Sequence, residues 1–272
     1  MKKLLSVTLI LILVAGLSSR CKKDKGDPPV LPPAESMTID FSNFTSGVKS
    51  ADFLLAPKGT EDSNFQFAAG VALFWKSIIY TTLIIPVTSF KLAVDQTPVY
   101  LDTKTWQWSY NVTVASVAYK VKLTGVIGST DVKWKMLVTK EGAFTDFLWF
   151  DGTSKLDGTG GQWILYQSPQ SPGAIVQIDW TKSGTTMGSV KYTYVKTADT
   201  FKDSYIEYGL TSATLNAYYT VRYYNSILLR LSEVVNVEWN TTAHNGRMKC
   251  TDYLGDTKWY CWDTNKINVT CP

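Results

Sequence analysis

Few side chains in this sequence could do chemistry, and their spacing limits what that chemistry is. The thiols are Cys21, Cys250, Cys261 and Cys271, the sole imidazole is His244, and the carboxylates are spread through 23 Asp and Glu. A Ser-His-Asp triad would have to use His244, and no G-x-S-x-G stands before a helix-forming run. His244 sits in the turn-like stretch Ala243-His244-Asn245-Gly246, away from any cysteine pair of zinc spacing, so it reads as a solvent-facing turn residue. No metal and no cofactor is expected. Paired carboxylates for glycoside hydrolysis can come from distant strands, with Asp179, Glu207, Glu233 and Glu238 as possible donors, but nothing selects a pair among them. Asp151 and Asp157 bracket a Gly-rich stretch with ligand types suited to calcium but no established spacing, so a plain hairpin is the simpler reading. The pattern leans away from an enzyme.

Aromatic residues are more informative. Ten Trp and 15 Tyr are many for this length. Trp106 and Trp108 alternate and so share one face of a strand. With Trp163 and Trp180 they are candidates to bind a glycan as stacking platforms or to line a pocket for an apolar ligand. Packing inside a β-rich core is the competing use of the same residues.

Cysteine use suggests one disulfide among Cys250, Cys261 and Cys271. If Gly255-Asp256 is a two-residue hairpin turn, Cys250 lies directly opposite Cys261, which puts that pair first. Cys271, next to the C-terminus, competes as a clamp on the tail.

These residues need elements to position them. From Trp106 to about residue 263, runs of alternating apolar and polar residues recur with turn signals between them, including Gly128-Ser129, Glu141-Gly142, Pro172-Gly173 and Asn245-Gly246. Short strands at near-even spacing without intervening helices make a mainly β fold, an antiparallel up-and-down meander. Twist accumulates over so many strands, so the sheet curls into a half-barrel or open barrel. Only Asn225 to Leu231, NSILLRL, stays undecided between helix and bend.

Phe65 to Val87 is the most apolar run outside the leader and supplies the filler for that curl. Ser63 with Gln66 three residues later is a capping-box pattern, Pro86 should kink the helix, and helical spacing continues to about Asp95. The helix is expected over about 64–95. Lys76 in mid-run and the absence of flanking basic clusters favour a core helix over a membrane span. Upstream, Ile39, Phe41 and Phe44 suggest one short strand.

Met1-Lys2-Lys3, the apolar Leu4–Val14 and the small residues 15–19 read as an export signal over 1–20. Without Lys2, Lys3 and Arg20, 24 basic residues face 23 acidic ones, a balance that gives no electrostatic case for nucleic acid. Cys21 follows at once, and the arrangement resembles a bacterial lipoprotein signal, in which that cysteine carries the lipid. The continuation KKDKGDPPVLPPA looks like the tether of many Bacteroidota lipoproteins, so residues 21–36 are read as anchor and flexible linker, and 37–272 as a single domain. Arg20 departs from the Gly, Ala or Ser of the lipobox, which leaves cleavage near Ser18 or Ser19 and a soluble periplasmic or secreted form as the alternative. The curled sheet around a helix is similar in architecture to the half-barrels of exported lipoprotein carriers. Gly161-Gln162-Trp163 matches the lipocalin G-x-W, but in mid-chain and without further support. The expectation is a non-catalytic lipoprotein of the outer membrane or cell surface, with an envelope carbohydrate-active enzyme and a structural or adhesive protein as alternatives. Its expected partners are a membrane through the lipid anchor and a small apolar or glycan ligand.

Overall fold

A computed structural model describes residues 25–45 and 59–272. Residues 1–20, Cys21 and the segment 46–58 lie outside the described residues. The chain is mainly β, with one antiparallel sheet of 14 strands that does not close into a barrel. Its strands are β1 (Val99–Tyr100), β2 (Thr105–Val114), β3 (Val117–Ile127), β4 (Asp131–Lys140), β5 (Phe144–Lys155), β6 (Gly160–Ser168), β7 (Ser171–Ser183) and β8 (Thr186–Tyr194). They continue through β9 (Tyr205–Leu210), β10 (Ala217–Arg222), β13 (Val235–Trp239), β14 (Gly246–Lys249), β15 (Tyr260–Trp262) and β16 (Asn268–Val269). Neighbours in sequence are neighbours in the sheet. The one excursion is the separate hairpin β11 (Tyr224–Asn225) and β12 (Arg230–Leu231), which is what NSILLRL forms.

The concave face carries the large aromatic residues, and its rows explain the Trp excess. One row across the strands reads Trp106, Gly125, Trp134, Gly152, Trp163, Ile178, Tyr192, Ile206. Large rings alternate with glycines because an indole lies over the bare Cα of its cross-strand neighbour. A Cβ on Gly152 would stand 2.6 Å from the Trp163 ring and 2.1 Å from the Gln162 carbonyl oxygen. The same fit recurs at Gly161 under Trp180 and Gly246 under Trp262.

Helix α1 (Ser63–Ala93) fills the curl, as its composition requires. Phe65 meets Trp262 edge-on, Phe67 stacks on Tyr253, and at the far end Phe90 packs against Phe150 and Trp163. Its two arms, Ser63–Tyr80 and Leu83–Ala93, meet at 76°. The bend falls before Pro86 because the proline ring clashes with the carbonyl four residues back, at position 82. No single described helix is long and apolar enough to cross a membrane, although the bent pair passes by length and composition.

The helix start differs from the capping box expected at Ser63. Asp62 is the N-cap, and Gln66 donates to its carboxylate at 3.1 Å. The buried first-turn N–H of Asn64 goes instead to Asn268 Oδ1 at 3.1 Å, while Asn268 Nδ2 donates to Ser63 Oγ and Thr60 O. The last strand of the sheet thus caps the helix.

The tether reading fails past Pro28. Pro29 and Pro32 are buried, and residues 29–44 form a strap across the concave face beside α1. The strap offers carbonyls and hydroxyls to the polar tips of core aromatics: Trp163 Nε1 donates to Ser36 Oγ, Tyr192 Oη to Met37 O and Tyr219 Oη to Asp40 O. Ile39, Phe41 and Phe44 are buried there, but the segment carries two 3-10 turns (Ala34–Met37 and Ser42–Phe44) where a strand was expected.

Candidate functional site

The tryptophans singled out as ligand platforms are core residues. Trp108, Trp163 and Trp180 are 2%, 0% and 1% exposed, and Trp106 is 9% exposed against Tyr100. Trp163 meets Ser36 of the strap and Phe90 of α1, Trp108 meets Trp134, and Trp180 lies over Gly161, so none of them offers a free face to a sugar.

The pairing Cys250–Cys261 is overturned as well: the disulfide is Cys261–Cys271, and Cys250 is free and buried. Gly255 does not open a hairpin. It lies at φ +84° as the left-handed cap of a helical turn, α2 (Thr251–Leu254), and the strands pair with Arg247 opposite Cys261. Gly246, Met248 and Cys250 then point to the concave side, and Cys261 shares the convex side with Arg247. The two thiols lie on opposite faces, and the tail closes the bond. Burial pushes the Cys250 thiol up to about 11.

The candidate acids are not gathered into a cleft. Asp179 accepts from Gln162 and Gln177, Glu207 from Tyr218 Oη, and Glu238 is paired to Arg247 at 2.6 Å. Asp179 and Glu207 share a convex row with Lys191 between them. Glu233 lies apart, exposed beside the hairpin, 4.0 Å from Arg230. Asp151 is inside β5, not at the edge of a loop, and Asp157 closes a turn by accepting from Thr159 N and Oγ1. Both bonds hold its carboxyl below the usual range. His244 is in a turn at φ +63°, exposed, with its ring nitrogen bonded to Asn43 of the strap. Among the described residues no group of three His, Cys, Asp or Glu could hold a metal ion.

Among the described residues, a concavity of about 720 Å³ near the C-terminal strands is lined by Glu238, Arg247 and Asp263, and a smaller one lies on the outward side of α1. At its elbow the strap and the two helical arms enclose an open groove of about 320 Å³. The helix contributes Lys76, Ile79, Tyr80, Leu83, Ile84, Val87 and Thr88, a stripe at i, i+3, i+4 spacing carried across the bend. Met37, Ile39 and Phe41 form the opposite wall. Sequence reasoning missed this stripe because α1 is apolar nearly all round, so one apolar face does not stand out from the others.

Fold and groove together define an open antiparallel half-barrel with a strap and a bent helix as its inner layer and an aliphatic slot on the open side. Compared with protein-family models, curated proteins and solved structures, the chain matches none.

Proposed function

We propose that the protein is a non-catalytic binding protein of the cell envelope, exported and held to a membrane through Cys21, which takes up an apolar chain in the groove at the elbow of α1. The observation that carries this reading is the lining of that groove: aliphatic and aromatic side chains on both walls, half-open to solvent along the elbow of α1. At about 320 Å³ it lies at the small end of ligand pockets, which run from about 300 to 1,000 Å³. Ile84 is a half-buried wall residue, so Ile84→Trp should fill the slot with little effect on the fold. A fluorescent acyl-chain probe should bind the parent protein saturably and lose at least tenfold in affinity with Ile84→Trp. Equal binding by both proteins would end the groove reading.

A structural or adhesive role draws on a different feature. Ile227, Leu228 and Leu229 are 65%, 46% and 75% exposed at the tip of the β11–β12 hairpin. Concentration-dependent self-association abolished by Ile227→Ser would favour that role.

A further inference from the structure

We infer, resting on the groove reading above, that the occupant is a single-chain amphiphile whose head is a carboxylate, with the head at Lys76 and the tail running along the elbow towards Val87. Lys76 is the one charged side chain among the groove's lining residues. It is exposed, and no carboxylate lies within ion-pair distance of it among the described residues. Many lysines elsewhere are engaged: Lys120 with Glu141, Lys122 with Asp146, and Lys191 and Lys249 over aromatic rings.

Tyr80, one turn after Lys76, is 64% exposed and shares its helix face. An ammonium and a phenol one helical turn apart in a mainly apolar slot, whose other polar lining groups are the hydroxyls of Thr38 and Thr88, are two donors for one anionic head. The strap's two acids, Glu35 and Asp40, are exposed, and Asp40 accepts from its own chain at Ser42 N. Both line a neighbouring groove with Lys182 and neither lines the slot. Among the described residues the slot's charge is therefore positive and uncompensated, which favours an anion over a neutral or cationic head.

The head should contribute modestly, because Lys76 is wet and screened, while the chain supplies most of the affinity. Calorimetric titration of the full chain with dodecanoate and dodecyltrimethylammonium below their micelle concentrations, and with dodecan-1-ol below its solubility limit, separates the two. Dodecanoate should bind the parent about three- to tenfold more tightly than it binds Lys76→Gln, and lose affinity as NaCl is raised. Dodecan-1-ol should bind both proteins alike, and Lys91→Gln, an exposed change outside the groove, should leave dodecanoate binding unchanged. If Lys76→Gln binds dodecanoate as the parent does, or the ammonium amphiphile binds the parent as well as dodecanoate, the inference about the head is overturned and the groove stands. If none of the three binds, the groove reading itself falls.

Discussion

The two sides of α1 are built from the same kind of residue to opposite ends. Facing the sheet, Phe65, Phe67, Trp75 and Phe90 are fully buried, and Phe65 and Phe90 meet the indoles of Trp262 and Trp163, which are themselves seated on glycines. Facing out, Ile79, Ile84 and Val87 are half-covered and Tyr80 is mostly exposed. Along the Trp–Gly rows the sheet side has little room for adjustment, because each indole fills the space that its neighbour's missing Cβ leaves. The outer side is bounded by a strap and an elbow, so its walls are one side chain deep. The tryptophans here close a core, and the surface suited to recognition is mostly aliphatic, with Tyr80 and Phe41 as its aromatic members.

The sharpest way to break this comparison is to add one carbon on each side. Gly152→Ala places a Cβ against backbone and indole with no escape route, and should cost more than about 3 kcal/mol or prevent folding. Gly173→Ala, where a Cβ meets nothing within 4 Å, is the matched control and should be near neutral. Denaturant midpoints read both. If Gly152→Ala unfolds at the parent's midpoint, the seating of Trp163 on Gly152 is not what holds the rows in register.

The next effect concerns the sheet edge that caps α1. The disulfide closes a ten-residue separation, which in the chain-entropy account is worth about 2–3 kcal/mol. Cys271→Ser should therefore lower stability by that order, and Cys250→Ser should leave the disulfide intact. Peptide mapping after alkylation gives the same answer without mutation. The Cys250 thiol, raised to about 11, is protonated at pH 8, so it should be labelled only after unfolding, and Cys261 and Cys271 only after reduction. Labelling of Cys271 in the unreduced, unfolded chain would restore Cys250–Cys261.

Much of the fold was readable because it is local: strand alternation, turn signals and the apolar run each depend on a few adjacent residues. What was not readable depends on distant partners. Ser63 and Gln66 mark the helix start correctly, but the donor-satisfying group is Asn268, more than 200 positions away. Prolines 28 to 33 read as a linker because proline favours extended chain, yet an extended chain with few N–H groups is also well suited to lie against a core, as Pro29 does over Gly125. The disulfide was misread through one glycine. Gly255 fits a hairpin turn and a helix cap equally well by type, and only the cap puts Cys250 and Cys261 on opposite faces. The groove was hidden for a different reason, since a stripe at i, i+3, i+4 carries no contrast within a helix that is apolar almost throughout.

The smallest effect should come from the hairpin tip, which belongs to neither side of α1. Leu229 holds φ +52°, in the left-handed region where a Cβ costs about 1–2 kcal/mol. The turn is fixed by Asn225 Oδ1, which accepts from the N–H groups of Ile227 and Leu228, and by Arg230 paired to Asp252 at 2.7 Å. Leu229→Gly removes the left-handed penalty and raises the entropy of the unfolded chain by about 0.5–1 kcal/mol, so the difference should be a gain of a few tenths to about 1 kcal/mol. At 75% exposure the leucine has little burial to lose. A stabilised Leu229→Gly that still binds the acyl-chain probe would separate the tip from the groove. A destabilised one would mean that Leu229 packs in solution, and that the tip is as closed as the sheet side of α1.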